Sequence, residues 1–229
     1  MSLVKSRGNM YDWVSHMHTH LGGQCPHKCS YCYVQTGPAR MGSKYKGSIN
    51  LMPKELAVNY GSDRTIFIEH MNDMFAAGVK EDWIARILEH TRQYPSNTYI
   101  FQTKNTEHAW LWNHSLPGDF MIGTTVETNR DISTISLAPA PQKRVDGLMR
   151  FKLSGHKVFV TIEPILVLDP KIMARWIIEI RPEFVNIGAD SKGTGLQEPP
   201  AEQVQELIER LRLANVTIRK KTNLERILP

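Results

Sequence analysis

All three cysteines of the chain lie within the segment QCPHKCSYCYV, which spans residues 24–34. Cys25, Cys29 and Cys32 follow a C-x3-C-x2-C spacing. Thiolates this close together can bind one small inorganic centre, and three of them leave it one ligand short. The spacing therefore predicts a metal or iron–sulfur site with one coordination position left for a ligand from outside the chain.

Three interpretations of these cysteines remain open at this point. A structural zinc ion needs a fourth protein ligand, for which His27, His18 and His20 are candidates, but zinc modules are normally built from two ligand pairs. Unrelated buried thiols seldom fall so close together in a sequence. A cluster of four irons and four sulfides held by three cysteines is the interpretation that the spacing favours.

The composition is that of an ordinary globular protein: 41% of the 229 residues are hydrophobic and 22% are charged. No run of roughly 18 apolar residues predicts a membrane span. The N-terminal segment MSLVKSRGNMYDW lacks the apolar centre of a secretory signal, so we expect a reducing, cytoplasmic location without structural disulfides. A chain of this length is expected to form one domain over residues 1–229.

Short β-rich runs alternate with longer helical patterns, which predicts a parallel sheet flanked by helices. The predicted strands are Asp12–His18, Thr65–Glu69, Thr98–Gln102, Met121–Val126, Val158–Ile162 and Val185–Ile187, with a possible seventh at Val216–Arg219. The predicted helices are Pro53–Asn59, Glu81–Tyr94, Thr106–His114, Gln142–Leu153, Pro170–Ile180 and Pro200–Leu213. Six βα units are too few for a closed eight-stranded barrel, so the predicted fold is an α/β partial (β/α)6 barrel of the TIM type with an open rim.

Polar residues follow every predicted strand. In parallel α/β folds the functional residues collect at the carboxyl ends of the strands. The segments at these ends are the cysteine loop 22–34, then 69–73, 102–104, 125–127, 163–164 and 188–190. We therefore expect these segments to meet at one rim.

The order of motifs resembles the radical S-adenosylmethionine superfamily, whose signature is C-x3-C-x2-C with an aromatic residue before the last cysteine. Tyr31 fills that place, and Gly22 and Gly23 allow a tight turn upstream. From about residue 12 to 190 the chain is also similar to a short phage-associated subfamily of undefined reaction. The matching stretches are GGQCPHKCSYCYV, IFIEHMNDMF, FQTKN, GTTVET, TIEPIL and VNIGAD.

The resemblance implies a 4Fe–4S cluster bound by the three cysteines and S-adenosylmethionine bound at the open iron. An electron, supplied by a reductant of the flavodoxin or ferredoxin type, would cleave the carbon–sulfur bond. The resulting 5′-deoxyadenosyl radical would abstract a hydrogen atom from a substrate, while the protein orients the reactants and excludes water.

The charges of the implied cofactor assign roles at the strand ends. Its carboxylate needs a donor, and its ammonium and ribose hydroxyls need acceptors. The expected cofactor-binding residues are Lys104 for the carboxylate, Asn72, Thr125 and Glu127 as acceptors, and Tyr31 and His70 beside them. The alternative for Lys104 and Glu127 is a salt bridge across the barrel mouth.

Three carboxylates remain as expected catalytic residues on the substrate side: Asp73, Glu163 and Asp190. Asp73 has an alternative role as a helix cap.

The formal charge of +5 and the basic residues Arg219, Lys220 and Lys221 suggest phosphate binding, hence a nucleotide or nucleic-acid base as substrate. A peptide substrate, or an activase role on another enzyme, remains open.

Two departures from the family pattern prevent transfer of a substrate. Glu69 and His70 stand where small residues are expected, and Asn105 follows Lys104 where arginine is usual. Two other classes compete with the enzyme: a zinc-binding nucleic-acid module that uses the same cysteines, and a metallohydrolase suggested by His16, His18 and His20 in SHMHTH.

Overall fold

The computed structural model describes residues 3–7, 11–36 and 43–228. Its strands are β1 Val4–Lys5, β2 His16–His18, β3 Leu21–Gly22, β4 Asn50–Leu51, β5 Thr65–Ile68, β6 Thr98–Gln102, β7 Phe120–Thr125, β8 Lys157–Ile162, β9 Phe184–Ile187 and β10 Ile218–Lys220. Its α-helices are α1 Tyr33–Thr36, α2 Glu81–Arg92, α3 Thr106–Leu111, α4 Pro141–Leu153, α5 Pro170–Ile180 and α6 Ala201–Leu213. Short 3₁₀ helices lie at Ser43–Tyr45, Pro53–Ala57, Asn113–Ser115 and Thr222–Arg226.

The main sheet has eight strands in the order β1-β2-β5-β6-β7-β8-β9-β10. From β2 to β10 every neighbouring pair in this order is parallel, whereas β1 pairs antiparallel with β2. A separate antiparallel pair, β3 with β4, lies beside the first strand end. The order runs from one edge to another without closing, so the predicted α/β partial barrel with an open rim is confirmed.

The strands bury both faces, as expected when helices cover a parallel sheet. Residues on the outer face, such as Ile66, Phe101 and Val160, join the large core formed with the helices. Residues on the inner face form a smaller cluster that includes Phe67, Phe159 and Phe184. Successive side chains of a strand alternate between these two cores.

Gly123 of β7 makes room for the inner core. A Cβ atom at this position would lie 2.4 Å from Cζ of Phe159. The glycine therefore allows the Phe159 ring to cross the interior, and this ring also stacks on Phe184 at 5.5 Å between centroids. This aromatic layer fills the lower part of the partial barrel and leaves the carboxyl ends of the strands open above it.

The predicted elements differ from the structure mainly at their ends. The first strand begins at His16 and not at Asp12, because Tyr11 and Val14 leave the sheet to pack in the inner core. The helix predicted over Thr106–His114 ends at Leu111, and the one predicted over Pro53–Asn59 is a 3₁₀ helix. Strand β10 confirms the seventh strand, shifted by two residues at its start.

Candidate functional site

A cavity of about 600 Å³ opens at the carboxyl ends of the parallel strands. The cysteine loop forms one side of it and the ends of β5, β6 and β8 contribute polar side chains. Its lining includes Cys25, Cys29, Cys32, Asn72, Lys104 and Glu163. The expectation that the polar strand ends meet at one rim is therefore met by the geometry.

The backbone before the first cysteine is held in one conformation. Gly23 has a φ of +75°, and a Cβ atom there would lie 2.1 Å from the carbonyl oxygen of Ser48. Its N–H donates to Lys44 O at 2.7 Å, and Gln24 N donates to Gly47 O at 2.9 Å. Only glycine fits this close approach, which fixes where the cysteine loop leaves the β3–β4 pair.

All three cysteines line the same cavity, but their surroundings differ. Burial raises the pKa of Cys25, and the nearby Asp73 carboxylate raises it further. Burial also raises the pKa of Cys32. These thiols become thiolates readily when they bind a positively charged metal centre, because a metal stabilises the deprotonated form.

Both carboxylate oxygens of Asp73 accept hydrogen bonds from the protein. One carboxylate oxygen, Oδ2, accepts hydrogen bonds from Thr103 Oγ1 and Lys104 N at 2.9 Å and lies 2.8 Å from His27 Nε2. The other oxygen accepts from Phe75 N at 3.0 Å. Burial alone would raise the pKa of Asp73, but His27 and these donors lower it. Asp73 therefore links the cysteine loop to β6. Its bond from Phe75 N closes a turn, and because the next helix begins at Glu81, the alternative role of Asp73 as a helix cap was wrong.

Asn72 offers a buried acceptor at the same strand end. Its Nδ2 donates to Gly23 O at 3.1 Å. Its Oδ1 is buried and has no hydrogen-bond partner within the described part of the chain. An unsatisfied buried polar atom costs about 1–3 kcal/mol, and a donor from a bound ligand would remove that cost.

Lys104 and Glu127 form the salt bridge that was the alternative to direct cofactor contact. Lys104 Nζ lies 3.1 Å from Glu127 Oε1, Arg144 Nη1 lies 2.8 Å from Oε2, and the Tyr31 hydroxyl also donates to this carboxylate. Glu127 is fully buried. Burial alone would raise its pKa, but Lys104 and Arg144 lower it to about 2. Glu127 therefore lies behind the cavity wall, where its carboxylate holds Lys104 in position. Lys104 itself lines the cavity.

Glu163 and Asp190 differ in what their carboxylates do. Asp190 accepts from Lys192 N at 2.8 Å and from Thr194 N at 2.6 Å, so it holds its own turn together. Glu163 lies between Lys221 Nζ at 2.8 Å and Asn223 Nδ2 at 2.9 Å. All three expected catalytic carboxylates line the cavity, and among the described contacts Glu163 is held there by the side chains of Lys221 and Asn223.

The basic residues at the last strand do not form one run. Arg219 points into the barrel, with its guanidinium carbon 3.7 Å from the centroid of the Phe184 ring. Lys220 is exposed and does not line the cavity, whereas Lys221 does. The alternation of side chains along a strand separates Lys220 from the other two. Of the three residues expected to bind phosphate, Lys221 is the one that lines the cavity, where it pairs with Glu163.

His70 and Thr125 both line the cavity. His70 Nδ1 lies 2.8 Å from Thr19 Oγ1, and Thr125 Oγ1 accepts from Gln102 Nε2 at 2.9 Å. Asn105, which replaces the usual arginine, caps α3 by accepting from His108 N at 3.4 Å. This departure from the family pattern therefore has a local structural role.

The other unusual residue, Glu69, belongs to a buried network behind the cysteine loop. Its Oε1 accepts from His20 N at 2.8 Å and lies 2.7 Å from His20 Nδ1, whose Nε2 lies 2.9 Å from His90 Nδ1. Burial raises the pKa of Glu69 to about 7 and lowers that of His20 to about 3. His20 is therefore part of a buried hydrogen-bond network, which weakens the interpretation of His16, His18 and His20 as metal ligands of a metallohydrolase.

In the described part of the chain, two of the histidines that could serve as a fourth zinc ligand have other partners. His27 pairs with Asp73, and His18 Nε2 lies 3.1 Å from the carbonyl oxygen of Glu55. Within residues 3–7, 11–36 and 43–228, no group of three or more His, Cys, Asp or Glu side chains is arranged to hold a single metal ion.

None of the described helices is both long enough and apolar enough to span a membrane.

Sequence reasoning missed three residues of the site. His27 was a candidate zinc ligand, and neither Arg144 nor Tyr11 was assigned a role, although the Tyr11 hydroxyl lies 2.7 Å from both Gln102 Oε1 and Thr161 Oγ1. Only the helical position of Arg144, between the buried Pro141 and Val145, carried a signal of burial.

The fold and the site together define an α/β partial barrel with three thiols and a buried polar rim at one cavity.

Comparison with known proteins gives the family. Residues 12–198 match the family model described as "Protein of unknown function (DUF5131)". The chain belongs to this family. No curated protein matches the chain in sequence.

Solved structures share the fold at low identity. A spore photoproduct lyase complexed with dinucleoside spore photoproduct has a TM-score of 0.60 at 12% identity, over 98% of this chain and 77% of that one. A lyase mutant with bound AdoMet and dinucleoside spore photoproduct gives 0.56 at 14%, over 91% and 65%. Streptococcus suis SuiB bound to S-adenosylmethionine gives 0.60 at 11%, over 90% and 50%. The chain thus spans about two thirds or less of the length of the last two.

Proposed function

We propose that this protein is a radical S-adenosylmethionine enzyme whose Cys25, Cys29 and Cys32 hold a 4Fe–4S cluster. The observation that carries the proposal is that Cys25, Cys29, Cys32 and Asn72 all line one cavity, and that the buried Oδ1 of Asn72 has no hydrogen-bond partner among the described residues. Thiolates are the ligands that iron–sulfur clusters require, and three of them leave one iron open. The presence of S-adenosylmethionine in two structures of the same fold supports the proposal.

The residues around the cavity fit the charges of S-adenosylmethionine. Asn72 Oδ1 accepts from the ammonium group, which satisfies its buried oxygen. Lys104 donates to the carboxylate group, while Glu127 holds the lysine in place from behind. Tyr31, His70 and Thr125 complete the cofactor side. When the cluster and S-adenosylmethionine are bound, they supply one-electron cleavage and hydrogen abstraction, with electrons from a flavodoxin- or ferredoxin-type reductant.

The contribution of the chain is to orient the cofactor and to exclude water. The aromatic layer closes the cavity from below, and the cysteine loop closes one side. Asp73, through His27 and Lys104 N, couples the loop to β6. This coupling keeps the cluster ligands and the cofactor-binding side chains in a fixed relation.

We further propose a nucleotide or nucleic-acid base as substrate, bound on the side of β8 to β10. Glu163 on this wall can accept from a base N–H, and Lys221 is the basic group beside it. Arg7 and Lys192 add two more basic side chains to the lining. A spore photoproduct lyase of the same fold is complexed with a dinucleoside lesion, whereas SuiB is bound to a precursor peptide, so peptide is the competing class.

Metal and sulfide analysis tests the proposal directly. Protein reconstituted anaerobically with iron and sulfide is expected to contain about four irons and four sulfides per chain. Replacing Cys25, Cys29 or Cys32 by alanine should abolish the cluster, because each change removes one of three ligands. Ser30→Ala within the same loop is the matched control and should keep it. Stoichiometric zinc without sulfide in protein made with ample iron would overturn the proposal in favour of a zinc module.

A further inference from the structure

The segment between β7 and α4 packs directly on the cysteine loop. Ser30 N donates to Ile135 O at 2.9 Å, and Leu137 N donates to His27 O at 2.7 Å. These two bonds hold residues 135–137 against the cysteine loop. They bring Ser136, which lies between them, opposite Cys29.

Ser136 contacts the sulfur of Cys29. Its Oγ lies 3.1 Å from Cys29 Sγ, and both residues are buried, with exposed fractions of 5% and 8%. Ala138 N donates to the same hydroxyl oxygen at 3.1 Å. A hydroxyl that already accepts one hydrogen bond is a better donor for the next.

The direction of the bond to sulfur follows from the charge of the ligand. A thiol can donate or accept, but a thiolate that binds iron can only accept. The Ser136 hydroxyl has one other acceptor in reach, His27 O at 3.5 Å. The shorter contact and the negative charge both favour Cys29 Sγ.

We propose that Ser136 is a positioning residue that donates a hydrogen bond to the cluster-ligating sulfur of Cys29 and raises the reduction potential of the cluster. This inference rests on the proposed function. Hydrogen bonds to the sulfurs are one of the levers that set cluster potentials. The bond is stronger to the reduced cluster, since reduction adds negative charge to the ligands. Ser136 therefore makes the cluster easier to reduce.

A redox titration of the reconstituted full-length protein, followed by the electron paramagnetic resonance signal of the reduced cluster, tests this. Ser136→Ala is expected to shift the reduction equilibrium about tenfold against reduction, equivalent to about 59 mV toward negative potential for a one-electron couple. Ser136→Thr keeps the hydroxyl and should restore the parent potential. Ser133→Ala is the matched control, because the Ser133 hydroxyl in the same segment bonds only to Asp131.

The possible outcomes distinguish a failure of this inference from a failure of the proposed function. A parent protein without an iron–sulfur cluster overturns the proposed function. A parent with a cluster whose potential is the same in Ser136→Ala overturns the role of Ser136 alone. If Ser136→Ala folds by circular dichroism but loses iron while Ser136→Thr retains it, the hydroxyl is required at Cys29, which supports the hydrogen bond to the ligand. Loss of iron in both variants would assign Ser136 to packing and refute it.

Discussion

At the scale of single residues, the Glu127–Arg144 pair determines much of the site. Both side chains are fully buried, and the guanidinium also donates to Thr125 O at 3.0 Å and Pro139 O at 2.6 Å. Arg144 thereby ties α4 to the end of β7. Because Glu127 in turn holds Lys104, a helix residue outside the cavity fixes a side chain that lines it.

Replacing Arg144 by methionine should destabilise the protein strongly. The change leaves Glu127 buried with one of its two cationic partners, and breaking a buried pair costs about 3–5 kcal/mol. Urea denaturation of the apo protein measures the loss. The double variant Arg144→Met, Glu127→Gln should recover part of it, because the fully buried Glu127 charge is then removed and the Lys104 ammonium that loses this partner lines the open cavity.

Arg150→Met is the control for this prediction. Arg150 lies on the same helix but is exposed, so its removal should change the free energy of unfolding by no more than about 0.5 kcal/mol. Equal, small effects of Arg144→Met and Arg150→Met would show that the buried pair contributes little to stability.

The sequence predicted the ligands of the proposed cluster but not their partners. Cys25, Cys29 and Cys32 are adjacent in the chain, so their spacing alone reveals them. Ser136 is 107 residues from Cys29 in the sequence, and Arg144 is 17 residues from Glu127. Such contacts depend on how strands and helices stack, which a local pattern does not encode.

At the scale of elements, the strands were predicted well because they alternate between two buried faces and are bounded by polar residues. The two-residue strands β1, β3 and β4 were not predicted. The first predicted strand began too early, since Trp13 looks like a strand residue but stacks on Tyr11 in the inner core at 5.2 Å. The pattern of apolar residues does not distinguish a strand from an extended segment that crosses under a barrel.

Helices α3 and α4 approach each other closely at Gly147. A Cβ atom at this position would lie 2.2 Å from Thr106 Oγ1 and 2.8 Å from Glu107 N. Thr106 Oγ1 also donates to Arg144 O at 2.8 Å. The glycine therefore lets α3 dock on α4 at the turn that carries Arg144.

Gly147→Ala should destabilise the protein, although alanine favours a helix by about 1 kcal/mol over glycine. The backbone nitrogen of Glu107 cannot move as a side chain does, and forcing extra atoms into a packed core costs about 1–3 kcal/mol. Gly118→Ala is the matched control, because no atom lies within 4 Å of the Cβ position there. A Gly147→Ala protein as stable in urea as Gly118→Ala would refute the close docking of the two helices.

At the scale of the whole molecule, the open sheet gives the cavity two chemically different sides. The cysteine loop and the ends of β5 and β6 carry the proposed cofactor side, whereas the ends of β8 to β10 carry Glu163 and Lys221. The formal charge of +5 indicates only that an anionic partner is tolerated. Composition and motif order thus predicted the fold, and the cofactor chemistry stays a prediction, whereas the placement of the charges on the substrate side required the structure.

If the substrate is nucleic acid, Lys221 and its exposed neighbour Lys220 should behave differently. Binding of a fluorescent single-stranded oligonucleotide, measured by anisotropy over a range of salt concentrations, should weaken with a slope of about −0.7 per phosphate contact. Lys221→Ala should reduce the magnitude of that slope by about one contact. It should also lower affinity at every salt concentration, because the Glu163 carboxylate beside it then loses its cation. Lys220→Ala should leave the slope unchanged, since this side chain does not line the cavity. Equal slopes for the parent and Lys221→Ala would exclude a phosphate contact at this wall and favour the peptide class of substrate.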